Sequence, residues 1–325
     1  MLTVSSSRIR ILLACALVIA AVLLFAAPAF ASIKYLDALG GQGRALAIND
    51  DGVAVGYAGL GFPNAVRWDT RGATRLDAPG PASDINDWGD IVGSTAESYE
   101  RGWVLSSGQL TVLTTPTGWL NIIPAAINNN GDIVGCGFRD GAMGAFLYRD
   151  GVFTDISPVG AVDSRAMDIN DAGQVVMTVI FTWEPGWTRW GYLWQQGTLT
   201  EVCGADTVAH GINNKGQVVG CHAGRAFIWQ AGAFTDIGTL GGTHSDAYAI
   251  NDRGVVVGES LTSDGTGASH AFLYQRSRMT ELGTPAGSAT VARDISSSGV
   301  AVGFMTVGSP ETPVLWDKSQ AKRTR

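Results

Sequence analysis

Two acids, Glu184 and Glu259, are the candidates for general acid–base work on a glycosidic bond. That chemistry needs a pair of carboxyls that can come from distant segments and leave no local motif. Glu184 sits in Phe181-Thr182-Trp183-Glu184-Pro185-Gly186-Trp187-Thr188-Arg189-Trp190, where three tryptophans, an acid and a base surround a Pro-Gly turn. Exposed rings beside polar groups stack on sugars or anchor a protein partner, and so Trp183, Glu184, Trp187, Arg189 and Trp190 form a candidate ligand-binding set. The plainer alternative is that these rings pack the hairpin against its neighbour. Trp119, in the longer loop between Leu113 and Ile123, would join the same surface.

Cys203, His210, Cys221 and His222 are zinc-ligand types crowded into one stretch. Paired metal-ligand spacing is missing, and adjacent residues on a strand point to opposite faces, so Cys221 and His222 would diverge. No metal site is expected, and His210 occupies the slot that Tyr248 takes in a later copy of the same pattern. Cys203 and Cys221 flank one predicted hairpin; a disulfide between them and a pair of buried thiols both remain open. Asp50, Asp87, Asp171 and Asp252 lie in turns without the alternating oxygen ligands and closing bidentate acid of a calcium loop. There is no Gly-x-Ser-x-Gly elbow, no His-Glu-x-x-His and no phosphate-cradling glycine loop, and no cofactor is implied.

The elements that must position these residues come from a repeat. Ile-Asn-x-x-Gly-x-x-Val-Gly occurs at Ile48–Gly56, Ile85–Gly93, Ile127–Gly135, Ile212–Gly220 and Ile250–Gly258, with degenerate copies at Ile169–Met177 and Ile295–Gly303. The central glycines of the seven copies are 37 to 45 residues apart, the spacing of a four-stranded blade. Each copy reads as four short strands, with an Asn-Asp-x-Gly turn after the first. The third strand places apolar residues on both faces, as in Phe272-Leu273-Tyr274, so each small sheet needs a neighbour on either side. Glycine, Asn-Asp turns and Val/Ile/Thr enrichment disfavour helix. The last copy stops after its third strand, Val314-Leu315-Trp316, while Ile33-Lys34-Tyr35-Leu36-Asp37-Ala38-Leu39 aligns with a fourth strand. The expectation is an all-β, seven-bladed β-propeller in which residues 33–39 pair onto strand 313–317 and complete the last blade.

At Leu240-Gly241-Gly242 ahead of Ala249-Ile250-Asn251-Asp252, and at His270-Ala271-Phe272, the sequence resembles the HAF-repeat family of bacterial extracellular repeat proteins. The resemblance spans essentially the whole chain after the leader. It implies secretion and a repeated β fold, but no shared activity or site residues. Only the copy around His270 spells His-Ala-Phe, and the copies around Met177 and Ser296 depart further.

Residues 1–31 read as a signal peptide: Arg8 and Arg10, an apolar run from Ile11 to Ala27, then Ala29-Phe30-Ala31. Its removal would take two of the 22 basic residues and none of the 29 acidic ones, leaving a net charge of −9 and disfavouring nucleic acid as a partner. Residues 32–317 would form the propeller and 318–325 a disordered basic tail, with no membrane span after cleavage. Together these features predict a secreted or periplasmic, monomeric recognition module that binds a glycan or a cell-surface protein at one face. The alternatives are a carbohydrate-active enzyme, a glycoside hydrolase or lyase with carboxylates in the channel mouth, and a purely structural surface protein.

Overall fold

A computed structural model describes residues 32–317 except 62, 96–100, 183–186 and 309. The expected leader, the expected tail, Trp183 and Glu184 therefore lie outside the described residues. Among the described residues no helix is long and apolar enough to cross a membrane, and every regular element is a strand.

Strand β1 (Ser32–Tyr35) precedes a run of up-and-down meanders. The first holds β2 (Gln42–Ile48), β3 (Ala54–Gly59), β4 (Asn64–Asp69) and β5 (Gly72–Arg75). The second holds β6 (Ala82–Ile85), β7 (Ile91–Ser94), β8 (Gly102–Ser106) and β9 (Gln109–Val112). Next come β10 (Ile123–Ile127), β11 (Ile133–Arg139), β12 (Ala142–Arg149) and β13 (Val152–Asp155). They are followed by β14 (Asp163–Ile169), β15 (Val175–Ile180), β16 (Arg189–Gln195) and β17 (Thr198–Ala205). Two more meanders comprise β18 (Thr207–Ile212), β19 (Val218–His222), β20 (Arg225–Gln230) and β21 (Ala233–Gly238), then β22 (Gly241–Ile250), β23 (Val256–Thr262), β24 (Ser269–Gln275) and β25 (Arg278–Glu281). The chain ends with β26 (Ala289–Ile295), β27 (Ala301–Thr306) and β28 (Glu311–Asp317). By hydrogen bonding these make five four-stranded sheets and one eight-stranded sheet, the latter joining β10–β13 to β14–β17 through a single parallel pair, Met143 with Asp163.

The aligned N-terminal segment does add to the last sheet. β1 runs antiparallel to β28, from Ser32 opposite Asp317 to Tyr35 opposite Val314, and the Leu36 amide donates to the Pro313 carbonyl at 2.9 Å. Pairing stops at Leu36, three residues short of the expected 39, and Asp37 then accepts from the Trp68 indole at 2.8 Å through its carbonyl.

The turn chemistry explains why every meander begins alike. The Asn251 side-chain oxygen accepts the amides of Arg253 and Val255 at 3.0 Å each, and the Gly254 amide donates to the Asn251 carbonyl at 2.9 Å. Closing so tight a loop needs a left-handed residue, and the seven central glycines all have φ between +71° and +89°. The second glycine has a different reason. A Cβ at Gly258 would stand 1.9 Å from the Asp246 carbonyl oxygen, so the strand pair could not close around any side chain.

Packing runs between meanders more than within them. Buried clusters each draw on two successive meanders, as when Val257, Leu273 and Leu282 meet Ala292, Val314 and Trp316. One further cluster joins the first meander to the last, through Ala45, Ile48 and Trp68 against Val302. The Arg44–Glu311 ion pair crosses the same seam.

Candidate binding site in the central channel

The first strand of each meander lines a central space, and the two ends of that space differ. At one end a cavity of about 190 Å³ is walled by the Asn-Asp turns. Each turn asparagine is buried, and its side-chain amide donates to the main-chain carbonyl of the next turn. The links run from Asn49 to Asn86, Asn128, Asn170, Asn213, Asn251 and finally Ser296, at 2.9–3.2 Å. A second series runs alongside, with the Asp50 amide on Asp87, the Asp87 amide on Asn129, the Asn129 amide on Asp171, and so on to Asp252. Ser296 has no amide group to pass on, and there the Ser297 main-chain N–H donates to Asp50 at 2.6 Å. The turn acids thus accept from the neighbouring copy, not from their own turn as local turn chemistry suggests.

At the other end the cavity is about 250 Å³ and shares Asp84 with the first. Its wall is made by a feature absent from the sequence reading. Every innermost strand carries a β-bulge at the same place, between Ala45 and Ala47, Ala82 and Asp84, Pro124 and Ala126, Ala166 and Asp168, Ala209 and Gly211, Ala247 and Ala249, and Ala292 and Asp294. A bulge leaves one residue out of the ladder and re-aims it. The residues left out are Leu46, Ser83, Ala125, Met167, His210, Tyr248 and Arg293, and all of them line this cavity. The signal was present in the sequence as a changing residue two places before the constant isoleucine of each copy.

Directly beneath stand Asp84, Asp168 and Asp294. Each reaches across to the next meander, accepting the amides of Ile127, Ile212 and Ile48 at 2.7–2.8 Å. Asp168 and Asp294 use their second oxygens on the amides of Ile169 and Ile295. Each is half-buried and lines the channel, where the surrounding strands exclude much of the bulk water and leave the charge poorly solvated. Burial pushes Asp168 up to about 7 and Asp294 up to about 6. Burial, with the Asp294 charge added, holds Asp84 well above the usual carboxylate range. On one flank of the mouth the Arg293 guanidinium lies 4.3 Å over the Tyr248 ring, whose other neighbour is the His210 ring at 5.0 Å.

The residues nominated from sequence are divided by the fold. Trp187, 66% exposed, lines a cavity of about 310 Å³ together with Arg189. Met167 belongs to both that cavity and the channel mouth, so the two adjoin. Trp190 is half-buried, opposite Val179 and Ala205. Trp119 instead packs edge-on against Phe146, with Arg139 over its ring, in the seam between β6–β9 and β10–β13. Glu259 accepts the Tyr248 hydroxyl at 2.6 Å.

The Cys203–Cys221 bridge is not formed, and both thiols are free. The two residues do not flank one hairpin, because Cys203 lies in β17 and Cys221 in β19, on different sheets. Nor do the four crowded Cys and His residues converge: the His222 ring bonds Thr207 at 2.9 Å, while Cys221 gathers with His244 and Asp246 from the next sheet.

The solved structures that resemble this arrangement include the β-propeller domain of the Trilobed protease from Pyrococcus furiosus, described as having an open velcro topology. It superposes with a TM-score of 0.60 at 11% identity, covering 91% of this chain and 99% of that one. This chain folds as a β-propeller. Acylaminoacyl peptidase from Pyrococcus horikoshii and a puromycin hydrolase also match, with TM-scores of 0.58 and 0.59, each at 12% identity over 87% of this chain. The propeller spans only 53% of each of those longer chains. No family model and no curated protein matches the sequence.

Proposed function

We propose that this chain is an exported, closed, seven-bladed propeller of the HAF-repeat type, acting as a non-enzymatic recognition module whose ligand, a glycan or a protein, docks over the bulge mouth. Ring closure is supported by the circuit of turn hydrogen bonds returning from Ser297 to Asp50, by the hydrophobic cluster shared by the first and last meanders, and by β1 on β28. The observation that carries the functional reading is the bulge ring. One geometric slot, repeated around the channel, holds seven different side chains, which is what recognition needs and folding does not. Trp187 and Arg189, beside Met167, extend the same face outward. The carbohydrate-active alternative is less well supported: both oxygens of Asp168 and Asp294 are engaged by main-chain amides, and Glu259 by Tyr248.

The experiment is a glycan-array and cell-surface-protein binding screen of residues 32–325, run beside Met167→Ala/Arg293→Ala and Trp187→Ala variants. Binding lost in the double variant at unchanged thermal stability supports the mouth as the site. Equal binding by all three proteins removes this face from consideration. Export is tested by fractionating cells that express the full chain and sequencing the mature N-terminus.

A further inference from the structure

Cys221 in β19 and His244 and Asp246 in β22 come from neighbouring blades, far from the turn ring. One ligand atom from each (the Cys221 sulfur, a His244 ring nitrogen and an Asp246 oxygen) lies within 4.8 Å of the other two. The sulfur is buried, and the Gly224 amide donates towards it. The Ser245 amide donates to the Gly224 carbonyl at 3.1 Å, which ties the hairpin after β19 to the strand carrying the other two ligands.

A second observation concerns the carboxylate of the cluster. Asp246 Oδ1 is buried and makes no well-formed hydrogen bond; the His210 Nε2, 3.3 Å away, is shared between it and Oδ2. A buried carboxylate oxygen left with only a share of one imidazole nitrogen is under-satisfied, and the usual remedies are a further hydrogen bond or a cation.

The geometry points to a site for one divalent transition cation of the zinc class, held by the Cys221 thiolate, His244 and Asp246, with His210 bonded to the ligating carboxylate from outside. Thiolate, imidazole and carboxylate are the donor set this class of ion prefers, and two anionic donors balance the charge of a divalent ion. Ligands at about 2.0–2.3 Å around a tetrahedral ion stand about 3.3–3.8 Å apart, so side-chain shifts of about 1 Å complete the site. Binding releases the Cys221 thiol proton to solvent. His244 is exposed, which gives the ion a way in and leaves a fourth position for water. Because His210 is one of the bulge residues, the ion would both join two blades and hold one part of the channel mouth in place.

The test uses chelator-treated residues 32–325 titrated with Co²⁺ and then Zn²⁺. Expected are one equivalent bound, a thiolate-to-cobalt charge-transfer band that Zn²⁺ abolishes, and protection of Cys221 from alkylation. Cys221→Ser should remove the band, while His244→Ala and Asp246→Asn should each weaken binding at least about tenfold and His210→Ala about tenfold. Cys203→Ser should leave the band unchanged. Thermal unfolding of the metal-free variants separates lost ligands from lost folding, and His244→Gln substitutes if His244→Ala is unfolded. Absence of the band, its survival in Cys221→Ser, or affinity unchanged by every variant overturns the proposal.

Discussion

The two ends of the channel are built from the same strands and behave as opposites. At the turn end, seven nearly identical loops spend their side chains on one another, each buried asparagine satisfying its own turn and the next one's carbonyl. At the bulge end, the same strands present seven different residues at one repeated slot. Repetition therefore marks the part of the molecule that holds itself together, and variation at a fixed slot marks the part that the proposed function assigns to a ligand.

The strongest challenge to this contrast lies in the seam on which both ends depend. Deleting residues 32–41 strips β1 from β28 and exposes the β28 edge; an apparent Tm lower by more than about 10 °C and concentration-dependent aggregation are expected in a thermal-shift and light-scattering assay. Unchanged stability would argue against a closed ring. Next comes the turn ring itself. Asn128→Ala abolishes donors to Asn170 and Asp132 and acceptors for Asn130 and Asp132, all at a buried site. At about 2–4 kcal/mol this should lower Tm by about 4–10 °C without altering ligand binding. A variant as stable as the parent would mean the asparagine circuit is not what joins the blades.

The carboxyls below the bulges test the contrast by pH. Their folded-state affinity for protons exceeds that of the unfolded chain, so the stability they contribute is complete near pH 4 and is lost as pH rises towards 7. Asp168→Asn removes that titration. Melting curves should show the variant gaining about 2–4 °C on the parent between pH 5 and pH 8, and parallel curves would mean that channel water solvates the charge. The smallest effect on stability is expected at the bulge ring. Arg293→Ala forfeits the contact over Tyr248 and should cost at most about 1 kcal/mol, while ligand affinity in a binding titration falls at least about tenfold. A large loss of stability there would erase the distinction between the two ends.

Much of the scaffold was readable from the chain because its causes are local or recur by translation. The Asn-x-x-Gly turn closes within five residues, and the missing fourth strand of the last copy shows itself at the other terminus. The candidate site was less readable. Of the tryptophan segment, Trp187 and Arg189 line a cavity that shares Met167 with the mouth, while Trp119 lies in another seam, edge-on to Phe146. The bulges show in the sequence only as a changing residue two places before each repeat isoleucine, and an unpaired residue looks like any other strand position until its partner strand is known.

Sequence alone determined that small, two-faced sheets would repeat around a common turn, since neighbouring residues suffice to set turn geometry and strand pattern. Tertiary structure alone decided that Cys203 and Cys221 stand on different sheets, that Cys221 instead meets His244 and Asp246, and that seven unrelated side chains share one opening. The physical reason is register: a one-residue bulge changes which face every following side chain points to, and that is settled only when strands pair and blades pack.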